Sequence, residues 1–200
     1  MNNYLKSTKL LGINGVGRIG KLTFWNHLNL GHFDGFVLNA GRTVGRQMED
    51  MIDFLVKDST YGSLDTFLYG YSGKTCDIEI TDRDAGLFTV NGTQVKILTE
   101  ARNPRDINWA KENVQLVIDC TGVFVDPTVP ADSPKGSVRG HLEAGAEKVI
   151  VSAPFKIKDK SQKTPLDSGM FVYGVNHEKY DPETHHIVSA ASCTTTGLAH

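Results

Sequence analysis

The strongest candidate for covalent chemistry in this sequence is Cys193, which stands among the small polar residues of segment 189–197. That segment follows a predicted strand and should open a helix. A thiol at a helix start feels the positive end of the helix dipole and unpaired backbone N–H groups, which lower its pKa and favour the reactive thiolate. We therefore predict that Cys193 is a nucleophile. The other two cysteines, Cys76 in a polar stretch and Cys120 in an apolar run, are predicted to be structural.

A second cluster with chemical potential is the glycine motif Gly15, Gly17 and Gly20, which lies between a predicted strand and a predicted helix. In such a motif the first glycine allows a tight turn, the second lets the backbone approach a pyrophosphate, and the third allows close packing of helix on sheet. The N–H groups at the helix start then bind the phosphates. This context predicts a dinucleotide site.

The end of the second predicted strand bears on the choice of dinucleotide. Sites that bind both ribose hydroxyls usually have an acidic residue there, but this strand ends in Asn39 and continues with Ala40, Gly41 and Arg42. Without a carboxylate, a 2′-phosphate meets no repulsion, and Arg42 or Arg46 could pair with it. The pattern favours NADP. Binding of NAD through its pyrophosphate and nicotinamide remains the alternative.

The elements that must position these residues follow from the hydrophobic pattern. Strands are predicted in segments 10–13, 36–39, 87–90, 93–98, 114–120, 149–151, 170–175 and 186–190, and amphipathic helices after Gly20, ending at Gly31, and in segment 46–57. Asn91-Gly92 predicts a two-residue hairpin turn. Segments 126–137 and 156–168, polar and proline-bearing, predict surface loops. The sequence therefore predicts an α/β fold with a doubly wound (Rossmann-like), mostly parallel sheet and an antiparallel hairpin excursion.

The composition fits a soluble globular protein and excludes several classes of function. The 200 residues are 40% hydrophobic and carry a formal net charge of -2, which gives no field to gather nucleic acid or an anionic membrane. No apolar stretch has the length of a signal peptide or a membrane span, and three cysteines do not make a disulfide framework. No metal site is expected. A cytoplasmic location fits best.

Several separate segments, in order along nearly the whole chain, closely resemble glyceraldehyde-3-phosphate dehydrogenase. The matching segments are residues 13–20, 57–62, 102–104, 107–109, 121–124, 152–154, 174–177 and 192–195. The resemblance implies oxidative phosphorylation of glyceraldehyde 3-phosphate to 1,3-bisphosphoglycerate, the glycolytic reaction. The Cys193 thiolate would attack the aldehyde to give a thiohemiacetal, hydride transfer to the nicotinamide would leave a thioester, and inorganic phosphate would release the acyl phosphate.

The resemblance also implies roles for individual residues and a division of the chain. Arg18 and Ile19 would lie on the cofactor pyrophosphate, Arg102 near the adenine end, and Cys120 on the nicotinamide side. Ser192 and Thr194, with Cys193, would bind substrate. Residues 1–192 would form the NAD(P)-binding domain, and residues 193–200 the first turn of the nucleophile helix of a catalytic domain that is otherwise absent.

The sequence departs from the family at several places. Ala40 stands where NAD-using members mostly have aspartate, and Thr196-Gly197 stands where the family usually has Asn-Cys. The family's general-base histidine and substrate-phosphate arginine would lie beyond His200. The 200 residues by themselves should therefore bind cofactor but turn over little substrate. The full-length protein is expected to be a homotetramer, and His177 is expected to be structural.

The sequence is compatible with two other functions. An erythrose-4-phosphate or semialdehyde dehydrogenase would share the cofactor domain and the cysteine, because the pockets that separate these substrates lie elsewhere. A non-catalytic dinucleotide-binding module is the alternative from a different class, against which the intact cysteine motif argues.

Overall fold

The computed structural model describes residues 9–190 and 193–198, and for Cys193, Thr195 and Thr196 it describes the backbone alone. In chain order the strands are β1 Leu10–Asn14, β2 Gly35–Asn39, β3 Lys57–Asp58, β4 Gly62–Ser63, β5 Ile78–Asp82, β6 Leu87–Val90, β7 Thr93–Leu98, β8 Leu116–Asp119, β9 Lys148–Val151, β10 Ser168–Met170 and β11 Ile187–Ser189. The helices are α1 Arg18–Leu30, α2 Met48–Val56, α3 Leu64–Tyr69, α4 Gly140–Glu143 and α5 Cys193–Leu198.

One large sheet organises the described part of the chain, with strand order β10-β11-β9-β8-β1-β2-β7-β6-β5. Every neighbouring pair from β10 to β7 is parallel, whereas β7, β6 and β5 pair antiparallel. The doubly wound sheet with an antiparallel excursion is thus confirmed. The excursion is part of the sheet, because β7 returns from the hairpin to lie parallel beside β2.

The central strands are buried on both faces, as expected for a parallel sheet covered on two sides. Leu11 and Ile13 of β1 pack with Phe24 and Trp25 of α1 in one hydrophobic cluster. Leu10 packs in a second cluster on the other face, with Val117 of β8, Val149 of β9 and the Trp109 ring among others. The sheet is therefore the middle layer of the described structure.

The first two helices begin and end where local chemistry permits. Helix α1 follows Gly17 and ends at Gly31, whose φ of 63° is the left-handed conformation of a helix C-cap, as predicted. Helix α2 begins with a capping box, in which the Gln47 side chain accepts the Asp50 N–H and the Asp50 side chain accepts the Gln47 N–H. Its buried face consists of Met51, Ile52 and Leu55.

The predicted hairpin turn is confirmed. Asn91 and Gly92, between β6 and β7, have φ angles of 50° and 79°. Two successive positive φ angles are characteristic of the type I′ turn, whose twist matches that of the strands it joins. This pair of residues therefore sets the register in which Val90 faces Thr93.

The prediction of a strand at residues 170–175 is wrong. The strand β10 is earlier and ends at Met170, and the chain then turns back on itself around Val172. The Asn176 side chain fixes this turn, because its Oδ1 accepts the Val172 N–H at 2.6 Å and its Nδ2 donates to the Met170 carbonyl at 3.1 Å. Val172 is buried, whereas Tyr173 and Val175 are exposed.

The two predicted loops, 126–137 and 156–168, are irregular except that Ser168 already begins β10, and they are tied to each other. The buried Asp126 carboxylate accepts the Lys158 N–H at 3.0 Å. Arg139 donates two parallel hydrogen bonds to Asp167, at 2.9 and 2.8 Å, and a third to the Pro127 carbonyl. The segments therefore form one braced surface at the β10 side of the sheet.

None of the helices in the described residues is long and apolar enough to cross a membrane.

Candidate functional site

The candidate site lies at the carboxyl ends of the central parallel strands. The glycine motif follows β1, Ala40 follows β2 and Cys120 follows β8, and these three strands are neighbours in the sheet. In open α/β sheets, ligands bind in the crevice outside this edge, where strand connections diverge to opposite sides. Since β1 is flanked by β2 and β8, the fold brings the three predicted segments together.

The glycine motif has the backbone geometry expected of a phosphate-binding turn. Gly15 has a φ of 89°, which forms the tight turn out of β1. A Cβ on Gly20 would lie 1.9 Å from the Gly15 carbonyl oxygen, so only glycine lets α1 pack this closely. A Cβ on Gly17 would meet no described atom within 4 Å. The side of the turn at Gly17 is therefore open, with bare backbone facing it.

The start of α1 carries the second element of anion binding. Gly17 is the N-cap and has no side chain to satisfy the first N–H groups of the helix. The first turn contains no acidic residue, and Ile19 is 51% exposed although it is apolar. These N–H groups and the helix dipole make this end favourable for a phosphate.

Two basic side chains near this helix start are held by the segment after α2. Lys21 is buried, donates to the Lys57 carbonyl at 2.7 Å and lies 3.5 Å from the Asp58 carboxylate. Arg18 lies 3.9 Å from the same carboxylate, and its side chain is 60% exposed. The Asp58 carboxylate accepts hydrogen bonds from the Thr60 and Tyr61 N–H groups. These bonds and the nearby charge of Lys21 hold the Asp58 pKa below its usual range. Arg18 thus faces solvent beside the open turn.

The end of β2 presents arginines without a carboxylate. Arg42 and Arg102 are both exposed, and the Arg102 Nε donates to the Gly41 carbonyl at 3.1 Å. Arg102 therefore lies against the segment that carries Ala40. Within residues 9–190, no acidic side chain forms an ion pair with Arg42, Arg46 or Arg102. The arrangement suits a further anionic group at this corner.

Cys120 lies behind the start of α1. A Cβ on Gly20 would be 3.5 Å from the Cys120 Cβ, and the Cys120 Sγ is 3.6 Å from the Thr23 hydroxyl. Burial raises the pKa of this thiol. Cys120 is therefore placed against Gly20 and Thr23 of α1.

The predicted nucleophile segment follows β11 at the same edge of the sheet. Helix α5 begins at Cys193, as predicted, and Thr194 in its first turn is exposed. Ser192 and the Cys193 side chain lie outside the described residues, so the substrate-binding prediction for Ser192, Cys193 and Thr194 remains a prediction.

The histidines near the end of the chain have local partners. His177 Nδ1 accepts the Gly174 N–H at 3.0 Å and its ring packs on Tyr173, which agrees with a structural role. His185 accepts the Asp181 N–H, and its ring packs on Phe171. His186 precedes β11, at the end of the strand opposite to α5.

A buried polar network that is not among the sequence predictions lies beneath the crevice. The Asp119 carboxylate accepts hydrogen bonds from the Asn14 Nδ2 at 2.8 Å, from His141 at 3.0 Å, and from the Thr121 N–H and hydroxyl at 3.0 and 2.6 Å. The Asn39 Nδ2 donates to the Asn14 Oδ1 at 2.8 Å and to the Ala101 carbonyl at 3.0 Å. The signal in the sequence is a polar residue at the last position of each apolar run.

Comparison with known proteins agrees with this geometry. Residues 9–127 match the family described as glyceraldehyde 3-phosphate dehydrogenase, NAD binding domain. The chain is 35% identical over 193 residues to glyceraldehyde-3-phosphate dehydrogenase 2 of Trichormus variabilis, covering 94% of this chain and 47% of the relative. It is 34% identical over 189 residues to glyceraldehyde-3-phosphate dehydrogenase 1 of Bacillus subtilis, covering 94% and 46%.

A more distant match is the glycosomal glyceraldehyde-3-phosphate dehydrogenase of Crithidia fasciculata, 32% identical over 198 residues, covering 94% of this chain and 46% of the relative. The chain thus spans about half the length of the curated relatives it matches. The family match covers more than half of the chain and includes the glycine motif, the end of β2 and Cys120. The chain belongs to the glyceraldehyde-3-phosphate dehydrogenase family and contains its NAD-binding domain.

Proposed function

We propose that this chain holds the nicotinamide dinucleotide of a phosphorylating glyceraldehyde-3-phosphate dehydrogenase and presents Cys193 as its nucleophile. The observation that carries the proposal is the turn at residues 15–20, which is tight at Gly15, packed at Gly20 and open at Gly17. The pyrophosphate binds at this opening, against the N–H groups of the α1 start, with Arg18 and Ile19 beside it. Gly41 and Arg102 flank the adenosine end, and Cys120 the nicotinamide end.

The chemistry follows from the residues at the crevice. The Cys193 sulfur adds to the aldehyde carbon of glyceraldehyde 3-phosphate to give a thiohemiacetal, with Thr194 and Ser192 beside the substrate. A nicotinamide held beside Cys120 would supply the acceptor for the hydride that leaves the thiohemiacetal carbon. The thioester left on Cys193 is then attacked by inorganic phosphate, which releases 1,3-bisphosphoglycerate and restores the thiol.

The pathway is glycolysis in the cytoplasm, and the whole protein is a homotetramer. Residues 1–192 act as the cofactor domain and residues 193–200 begin the catalytic part.

The same proposal assigns NADP as the preferred cofactor. Ala40 removes the carboxylate that repels a 2′-phosphate, Arg42 is exposed, and the exposed Arg102 donates to the Gly41 carbonyl. A phosphate that pairs with a guanidinium group gains charge-assisted hydrogen bonds that an NAD ribose does not provide.

Titration calorimetry with NAD and NADP tests this assignment. We expect NADP to bind more tightly to the unaltered chain, and Ala40→Asp to weaken NADP binding by about ten-fold through charge repulsion. Arg42→Met should weaken NADP binding and leave NAD binding unchanged, which makes NAD the internal control. Tighter binding of NAD by the unaltered chain contradicts the NADP assignment, and failure to bind either dinucleotide contradicts the proposed function.

A further inference from the structure

The buried polar network connects the segments that are proposed to contact the dinucleotide. Four of its members directly precede a residue that is proposed to lie at the dinucleotide site. Asn14 precedes Gly15, Asn39 precedes Ala40, Asp119 precedes Cys120, and Ala101 precedes Arg102. These four positions come from separate parts of the chain. One continuous set of hydrogen bonds therefore lies under the phosphate turn and under both ends of the proposed cofactor site.

The network has its centre in a carboxylate that water does not reach. Asp119 and His141 are both 0% exposed and Asn14 is 2% exposed. Burial of a carboxylate is costly unless donors surround it. Here the four donors come from β1, from α4 and from the residue that follows Cys120. Each donor is therefore fixed relative to the others through Asp119.

His141 can donate to Asp119 because Trp109 determines its tautomer. The Trp109 indole N–H donates to the His141 Nδ1 at 2.9 Å, so Nδ1 is the acceptor and the ring proton is on Nε2. That Nε2 lies 3.0 Å from the Asp119 Oδ2. Trp109 thus orients His141 so that the His141 Nε2–H donates to the Asp119 carboxylate from the layer beneath the sheet.

We propose that Asp119 and His141 are positioning residues that hold the dinucleotide-binding segments in their binding geometry. This inference rests on the proposed dinucleotide site. Neither side chain has surface for a cofactor to touch, so both act through the backbone of the residues that follow β1, β2 and β8. A loss of these hydrogen bonds lets the phosphate turn and the Cys120 segment move apart, and the bound dinucleotide must then order them again.

The test compares two substitutions of His141 in the full chain. His141→Leu removes both hydrogen bonds of the imidazole, whereas His141→Gln keeps an amide N–H that reaches Asp119. We expect His141→Leu to raise the Kd for NADP by at least about ten-fold, the loss of one hydrogen bond to a charged group. His141→Gln should recover most of that affinity. Titrations are made below the thermal transition of each variant, with folding checked by circular dichroism.

Two further variants separate positioning from stability. Asp119→Asn keeps the shape of the side chain but sets an amide N–H against the donors of Asn14 and His141. It should weaken dinucleotide binding even if His141→Leu does not fold. Lys96→Met is the control, because it breaks another largely enclosed pair, the 2.6 Å contact of Lys96 with Glu112, in which each side chain is 10% exposed. It should lower the melting temperature and leave the Kd for NADP unchanged.

The outcomes separate this inference from the proposed function. If the unaltered chain binds neither NAD nor NADP, the proposed function is wrong. If it binds, but His141→Leu and Asp119→Asn bind equally well, the positioning role is wrong. If Lys96→Met weakens binding as much as they do, the effect is one of general stability, and the positioning role is again wrong.

Discussion

Among single residues, Cys76 and Cys120 resist ionisation because of their surroundings. Burial and the neighbouring Asp65 carboxylate raise the pKa of Cys76 to about 12. Burial also raises the pKa of Cys120. A thiolate is the reactive species, so both thiols are poor nucleophiles at neutral pH. Cys193, at the first position of α5 and proposed as the nucleophile, is the remaining thiol of the chain.

Alkylation with iodoacetamide at pH 7 should therefore modify Cys193 first. Each unit of pKa changes the thiolate fraction by about ten-fold, so we expect Cys193 to react at least ten times faster than Cys76 or Cys120. Peptide mass spectrometry after short labelling measures the three rates. Cys193→Ser should leave only slow labelling, and unfolding in urea should make the rates similar. Labelling of Cys76 or Cys120 as fast as Cys193 in the folded chain contradicts the assignment.

Residues with local constraints could be predicted from the sequence, and those with distant partners could not. Gly31 as a helix end and Asn91-Gly92 as a turn depend on backbone conformations that few residue types adopt. The Asp119–His141 contact joins residues 22 positions apart, and Asn14 and Asp119 are 105 positions apart. Each is only a polar residue near an apolar run until the sheet places them together.

The same contrast holds for whole elements. Runs such as the one that contains β8 predict buried strands because a parallel sheet covers both faces. Segment 170–175 has a similar apolar content but forms a turn, since the Asn176 side chain supplies the hydrogen bonds that a neighbouring strand would otherwise give. The sequence pattern does not reveal that substitution of partners.

The junction of β1 with α1 allows two glycine substitutions to be compared. Gly17 has a φ of -68°, and a Cβ there meets no described atom within 4 Å. Gly17→Ala should therefore keep the melting temperature and weaken dinucleotide binding by about ten-fold or more, because the methyl group occupies the proposed pyrophosphate position. Gly20→Ala should lower the melting temperature, because its Cβ meets the Gly15 carbonyl oxygen at 1.9 Å.

Thermal melts and NADP titrations on both variants check this pair. If Gly17→Ala binds NADP as tightly as the unaltered chain, the pyrophosphate does not lie at the open side of the turn. If Gly20→Ala melts at an unchanged temperature, the close packing of α1 on the turn is not required.

At the scale of the whole molecule, the sheet is held unevenly. Its centre is covered by two hydrophobic clusters, whereas the β10 side consists of three-residue strands. There the Arg139–Asp167 pair ties the connection between β8 and β9 to the residue before β10. The Asp167 carbonyl also accepts the N–H groups of His186 and Ile187 at 2.8 and 3.1 Å. The attachment of this side therefore depends on a charge.

The hydrogen bonds from Arg139 hold the Asp167 pKa below its ordinary value of 3.8. A carboxyl group with a lowered pKa in the folded state contributes its full stabilisation above that ordinary value and loses it as the pH falls through the folded pKa. We expect the β10–β11 amides to lose protection from hydrogen exchange below pH 3.8 before the β1–β2 amides do.

Asp167→Asn should open the same region at pH 7, by about 1 kcal/mol for a partly exposed pair. The difference between Asp167→Asn and the unaltered chain should then shrink as the pH falls, because both side chains become neutral. A difference that stays constant from pH 7 to pH 2, or equal loss of protection across the sheet, would show that the β10 side is held by packing and not by this pair.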